Sequence, residues 1–504
     1  MILCKKWIEQ RLLCQHLLTG WLLAVVDKSS SAELIESINS MFQWYRKAVV
    51  CYVLLEDLTK DTALDVTLAD GLSRCRWFTR GWTLQELLAP KLVEIFNKAW
   101  VHIGTKSDHA EAISELTGIT TDVLLNETDI STVSVAERMS WASNRQTKRK
   151  EDMAYCLLGI FDVNMPLIYG EGEKAFRRLQ EEIIKHSNDL SIFLWDPALG
   201  NSANVPTYVG ILAKSPVQFA NSTDVTISPY NNTNPEFSLT NRGLFLKDGF
   251  RLGSALCRID GNPPSRQYVL FMRYSLDFIG IFLRKLGPSS YCRLGRIPFA
   301  NSRIIDNTIG EDQEMVYIAT NVDDSGIRRA LSFSRGFGVH IPEQSHLSEQ
   351  SRMDMISAVP SLFWDHIDSC FLTTPSGTTD FPMVRAVEFS LWAYGHREEI
   401  VVIIRLEEHE HKLCVFRSSD AVRVRDLLFG GRTRIEGISW EDLLMKSPQL
   451  DLMKDSVELY MVKDTIRVDF FLRNSPEPWK EARPQDKLIS SVVSIGSQRS
   501  NASV

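Results

Sequence analysis

The sequence predicts an α/β unit over residues 27–196 followed by a β-rich region over residues 197–480. Three observations predict it. Leu34, Ile38, Met41, Tyr45 and Ala48 recur at helical spacing and lead into a wholly apolar run at 49–55, the signature of a buried strand. A second candidate strand at 93–96 follows another helical segment, so helix and strand alternate as in a parallel-sheet layer. From Pro197 the helical periodicity fades. Asn, Ser, Pro and Gly cluster at 200–206, 221–235 and 261–266, and short strand-like runs take over.

The elements can be justified in order. Residues 12–26 read LLCQHLLTGWLLAVV after Lys5, Lys6 and Arg11. Gln15 and His16 interrupt the apolar run, no small-residue cleavage site follows, and the stretch is too short to span a bilayer. A buried helix and strand are expected there. No other segment reaches 18 consecutive apolar residues, so no membrane span is expected.

Ser30 and Glu33 are spaced as a capping box opening the first long helix. Thr83 and Glu86 repeat the box ahead of a short helix that Pro90 limits. Met41, Tyr45, Val53, Leu54, Trp77 and Trp82 are expected to be buried. Residues 108–160 are helical by pattern, including 151–161. Residues 173–186 form an amphipathic helix with Phe176, Leu179 and Ile183 on one face. Its i,i+4 charge pairs are Glu173–Arg177, Arg177–Glu181 and Glu181–Lys185. Strands are expected at 267–274, 280–283, 315–320, 386–392, 401–406, 412–416 and 466–472, antiparallel and in a core of their own. Residues 481–504 are polar and Ser-rich, a flexible tail.

The 504 residues are 44% apolar and 24% charged, a globular balance, and the net charge of −7 removes any whole-chain electrostatic footprint for nucleic acid. The nine cysteines are odd in number and widely spaced, with no C-x-x-C. A reducing, cytoplasmic setting is expected, without a disulfide framework or zinc site. No G-x-S-x-G, Walker sequence or H-E-x-x-H is present.

Several short motifs each have two readings. RGWTLQE at 80–86 gathers Arg80, Trp82 and Glu86 at a helix N-terminus, where donors can hold an anion or a nucleotide phosphate. The same residues can simply cap and pack the helix. Glu33 lies on the flank of its helix, about 125° from the centre of the apolar stripe at about 100° per residue, so it can face a cleft margin; Glu36 points to solvent. GEGEK at 170–174 resembles a phosphate loop, but its two Glu would repel phosphate and no Ser or Thr follows the Lys. KRK at 148–150 reads as a solvated basic run. EEHEH at 407–411 reads as a polar hairpin loop rather than a metal site.

The stretches DKSSSAELIESINSMFQWYRKAVVCYVLLEDL, SRCRWFTRGWTLQELLAP, ERMSWASNRQTKRKEDMAYCLLGIFDVNMPLIYGEGEKAFRRLQEEIIK and SIFLW resemble the fungal heterokaryon incompatibility (HET) domain and the segment that commonly follows it. The likeness covers roughly residues 27–196. YVGILAKSPVQFANS and EFSLTNRGLFL resemble the β-rich partner region of the same proteins. The implied division is a divergent N-terminus at 1–26, a partial HET domain at 27–100 and a helical HET-associated segment at 101–196. A β-rich domain at 197–480 and a tail at 481–504 complete it. The family's N-terminal block has a Ser-His-x-Trp motif and a strand ending in Trp-Ile-Asp, then Cys-Ile. Here no Ser-His-x-Trp occurs, and WLLAVV at 21–26 takes the second strand's place. A truncated paralogue or a misjudged first exon is the expectation.

The resemblance implies a fold like Toll/interleukin-receptor (TIR) domains, an incomplete TIR-like α/β unit, some of whose relatives cleave NAD through a Glu. Glu33 takes that position. Asp27, Ser30, Arg80, Trp82 and Glu86 are the nucleotide-binding candidates. NAD is the implied substrate, with no metal and no certain cofactor. The implied role is fungal non-self recognition leading to growth arrest or cell death, through protein partners or self-association. Activity in this chain is expected to be weak or lost. The alternative is a non-catalytic scaffold whose β-rich half binds a partner.

Overall fold

In a computed structural model of the chain, the described residues are 31–58, 68–200 and 205–222, with interrupted segments from 236 to 473. Asp27, Ser30, and residues 407–411 and 481–504 lie outside them, as does the apolar run at 12–26.

The first helix, α1 (Ser31–Lys47), leads into β1 (Cys51–Leu55). The strand starts two residues later than its apolar run: Val49 is 70% exposed, and the buried positions are Cys51, Val53 and Leu55. After α2 (Leu68–Ser73) and a 3₁₀ turn at Arg76–Thr79 comes α3 (Thr83–Leu88), then β2 (Val93–Asn97) and β3 (His102–Thr105). β1 and β2 are parallel, with Val53 opposite Ile95, and β3 closes antiparallel on β2. One face of this sheet, carrying Cys51, Val53, Leu55, Val93 and Ile95, is buried. Tyr52, Leu54, Glu94 and Phe96 alternate with them and are half-buried. Leu54 is therefore less covered than the sequence suggests, because strand alternation places it on the other face. Met41, Tyr45, Val53 and Trp77 are buried as expected, and Trp82 is half-buried.

The helical stretch after β3 breaks into short pieces: α4 (Ala110–Thr117), α5 (Thr121–Leu124), α6 (Val135–Ser140), α7 (Asp152–Tyr155) and α8 (Leu158–Phe161). Gly118 ends α4 and Asp162 ends α8, both with left-handed backbone. α9 (Lys174–His186) is the amphipathic helix, burying Phe176, Leu179 and Ile183. Of its three expected pairs only Arg177–Glu181 forms, at 2.8 Å. Glu173 instead meets Lys150, and Lys185 meets Glu182.

The second half is β-rich. Its first sheet has ten strands: β4 (Tyr208–Val209), β5 (Phe237–Thr240), β6 (Gly243–Leu246), β7 (Arg251–Cys257), β8 (Ser265–Tyr274), β9 (Asp277–Gly287), β10 (Ser290–Leu294), β11 (Ala300–Asn301), β12 (Ile305–Gly310) and β13 (Val316–Ile318). Neighbours pair antiparallel except β10 and β13, which are parallel. A four-stranded antiparallel sheet follows, built from Arg352–Val359, Val384–Ala393, His396–Arg405 and Lys412–Arg417. A second four-stranded antiparallel sheet joins Trp364–Asp365, Cys370–Leu372, Arg335–Val339 and Leu472–Arg473, and Ser456–Tyr460 pairs with Thr465–Asp469 as a hairpin.

One face of the ten-stranded sheet shares its core with the helical unit, while Ala255, Cys257, Val269 and Phe282 form a separate cluster. One continuous apolar core runs from Ile38 and Met41 through Leu158, Phe176, Phe193 and Trp195 into Leu244, Leu270, Leu283 and Ile318. The polar pin across this joint is Arg293 on β10, which is fully buried. Its guanidinium donates to the carbonyls of Phe193, at 2.8 Å, and Trp195, and stacks 4.0 Å from the Trp195 ring. Gln180 on α9 also crosses the joint, exchanging two hydrogen bonds with the backbone of Ala213.

Candidate functional site

RGWTLQE is clasped by chain from the helical segment. Gly81 donates its N–H to the Gln146 carbonyl at 2.9 Å, and Gln146 donates back to Thr79. A Cβ at Gly81 would lie 2.5 Å from Thr147 Cγ2 and 3.0 Å from Cys156 Sγ, so the approach needs glycine. Gln85 donates to the Cys156 carbonyl at 2.7 Å.

The expected capping box at Thr83 and Glu86 does not form. The residue before α3, Trp82, already has helical backbone and makes no side-chain cap. Thr83 faces the preceding turn, its hydroxyl within bonding distance of the Trp77 and Arg80 carbonyls, and accepts from Arg145 Nη1 at 3.0 Å. Arg145 also donates to the Trp141 and Arg80 carbonyls. Burial lowers its guanidinium to about 10.

Glu86 turns inward. Trp77 Nε1 donates to its carboxylate at 3.2 Å, and the Tyr45 hydroxyl at 3.4 Å. Burial is the leading influence and raises the carboxyl above its usual range, against the opposing pull of these donors and of Arg80. Tyr45 is raised well above the usual phenol value by the same burial and by Glu86. Three polar atoms nearby, Gln85 Oε1, Arg145 Nη2 and Trp141 Nε1, are buried without a hydrogen-bond partner.

The candidates read from sequence therefore separate. Arg80 is exposed, and its carbonyl serves Thr83 and Arg145. Trp82 is half-buried and lies beside Asp152 rather than Glu86. Glu33 is exposed in the first turn of α1. Glu86 meets that helix at Tyr45, twelve residues on, which is about 18 Å along the axis. Glu33 and Glu86 thus belong to different places on the molecule. The partners that sequence reading missed are Tyr45 and Arg145. Tyr45 was legible only as part of an apolar stripe, although a buried Tyr hydroxyl calls for a partner.

The GEGEK loop behaves as a nest for a carboxylate. Gly170 and Gly172, both with positive φ, donate their N–H groups to Glu151 at 2.8 and 2.9 Å. The backbone N–H of Glu151 itself, followed by these two, holds its carboxyl below the usual range. Among the described residues no helix is long and apolar enough to cross a membrane, and no group of three or more His, Cys, Asp or Glu could hold a metal ion.

Residues 174–244, from α9 into β6, match a family model described as a domain of unknown function, DUF8212. That segment crosses the joint pinned by Arg293. No solved structure matches the chain. A stretch of 170 residues is 49% identical to the vegetative incompatibility protein HET-E-1 of Podospora anserina, covering 33% of this chain and 12% of that protein. Over about a third of its length, the chain is thus similar to a vegetative incompatibility protein.

Proposed function

We propose that this chain is an effector module of the vegetative incompatibility type, acting in the cytoplasm in fungal non-self recognition and leading to growth arrest or cell death. The observation that carries this reading is the 49% identity to HET-E-1 over 170 residues. Glu33 is the proposed catalytic group and NAD the proposed substrate. A carboxylate in a TIR-like site orients the nicotinamide ribose hydroxyls and stabilises positive charge as the glycosidic bond breaks. It is exposed in the first turn of α1. Asp27 and Ser30 are the proposed nucleotide contacts, with Arg80, Trp82 and Glu86 as the remaining candidates from sequence.

A separate observation favours a second reading. Thr83, Gln85 and Glu86 direct side-chain polar atoms to partners within the chain, so RGWTLQE serves as a joint between segments. On that reading the chain is a non-catalytic scaffold that binds a protein partner or associates with itself.

Inducible expression in Podospora anserina tests both, using the chain joined behind the family's Ser-His-x-Trp block. Arrested hyphal growth with falling cellular NAD, relieved by Glu33→Gln, supports the effector reading and its catalytic Glu. Equal arrest by the two versions removes Glu33 from the mechanism and leaves the scaffold. Normal growth at confirmed protein levels overturns the effector reading.

A further inference from the structure

A second carboxylate, outside the Glu86 network, has the surroundings of a ligand contact. Asp152 opens α7, is half-buried, and accepts the Tyr169 hydroxyl at 3.1 Å. Burial raises its carboxyl above the usual range, outweighing the Tyr169 and Trp82 donors and the nearby Arg149. Among the described residues it makes no ion pair. A carboxylate in this condition gains from any further hydrogen-bond donor brought to it.

Its neighbours are flat and partly open. Trp82 and Tyr169 are each half-buried. Arg149 is exposed, and its guanidinium lies 4.4 Å from the Tyr169 ring centroid, so a planar group already stacks there. The Tyr169 ring is held from behind by Tyr155, edge-on at 5.5 Å. Tyr155 is in turn fixed by the Glu171 carboxylate at 3.1 Å and the Ile168 N–H at 2.9 Å. The two glycine N–H groups on Glu151 fix the rest of the loop. The cluster is therefore held in place before any ligand arrives.

We propose that Asp152, Trp82, Tyr169 and Arg149 form a binding site for a ribonucleotide. The two oxygens of one carboxylate can accept both hydroxyls of a ribose cis-diol, as acidic residues do in dinucleotide-binding folds. The base stacks against the aromatic side chains. Arg149 swings from the Tyr169 ring to the phosphate, where its planar fork suits the oxygens. A cationic ligand, the other group that an aromatic cluster with a carboxylate could hold, would meet Arg149, whose guanidinium already covers the face of the Tyr169 ring.

Calorimetric titration of the full chain at low salt tests the site. The probes are AMP, 2′,3′-dideoxy-AMP, adenosine and an arginine-rich peptide. AMP should bind about tenfold more tightly than its dideoxy analogue, the worth of one good hydrogen bond. Asp152→Asn, nearly isosteric, should abolish that difference. Arg149→Ala, an exposed change that spares the fold, should abolish the preference for AMP over adenosine and keep the preference for hydroxyls. No heat from millimolar AMP overturns the proposal. So does unchanged hydroxyl discrimination in Asp152→Asn, or binding of the peptide with AMP inert. If Asp152→Asn loses its near-ultraviolet circular dichroism, the Arg149→Ala arm decides. Growth arrest enters none of these measurements, so the proposal stands or falls apart from Glu33.

Discussion

Gly159 sets how closely α8 approaches α1, the helix that carries both Glu33 and Tyr45. A Cβ built at Gly159 would lie 2.1 Å from Phe42 Cβ, 2.6 Å from Cγ and 3.1 Å from Cδ2. Carbon atoms pack at about 3.5–4.0 Å, so Gly159→Ala forces the helices apart by more than about 1 Å. Overpacking of this kind costs about 1–3 kcal/mol, and here the top of that range applies because the contact is with a Cβ that no rotamer change can move. Alanine's helical preference returns only about 0.5–1 kcal/mol. A net loss of about 2 kcal/mol is expected in urea-induced unfolding, a large part of a typical domain's stability. The shift should also reach Met165, whose N–H bonds Asn39 on α1 at 3.3 Å. Phe42→Ala keeps the offending Cβ and should not rescue Gly159→Ala; Phe42→Gly should show favourable coupling with it in a double-mutant cycle. A Gly159→Ala protein as stable as the parent would refute the argument.

Three further outcomes follow from buried charges. Arg293→Met leaves the Phe193 and Trp195 carbonyls without their donor at the joint and should destabilise the protein by about 2–4 kcal/mol, read by thermal unfolding. Lys106 is buried on the carbonyls of Leu87 and Pro90, and burial lowers its ammonium from 10.5 to about 8. The unfolded chain holds that proton longer, so stability should rise between about pH 8 and 10.5 by on the order of 3 kcal/mol, a rise missing in Lys106→Met. Glu86 is the opposite case. Its raised carboxyl keeps a proton in the folded state that the unfolded chain releases first, so its share of stability is full below the unfolded value and falls as pH rises through the folded one. Glu86→Gln should flatten that fall in denaturation midpoints measured across the acid range.

The strands and long helices were legible because each has a period of its own. α1 and α9 carry wide apolar stripes; Lys412–Arg417 follows the strand expected at 412–416, while His396–Arg405 begins five residues ahead of the one expected at 401–406. The short helices between Ala110 and Phe161 were not separable, since each is too brief to show a clear period of its own, and two of them end at a single left-handed residue, Gly118 or Asp162. The capping box at Thr83 failed for a tertiary reason: Arg145 and the Trp77 turn take the hydroxyl, and Tyr45 and Trp77 take Glu86. Local spacing cannot register partners tens of residues away.

The same long-range bonding explains why a motif and a site need not coincide here. RGWTLQE spans seven residues, yet its side chains serve separate networks. Glu86 faces α1 through Tyr45, while Trp82 faces Asp152 and the loop carrying Tyr169. Gly81 lets the two networks sit back to back, because any side chain there would meet Thr147 and Cys156. Substituting Gly81 should therefore disturb both networks at once, whereas Glu86 and Asp152 can be changed one at a time. That asymmetry gives the two carboxylates separable roles: Glu86 is enclosed by its own chain's donors, and Asp152 keeps capacity for a donor from outside.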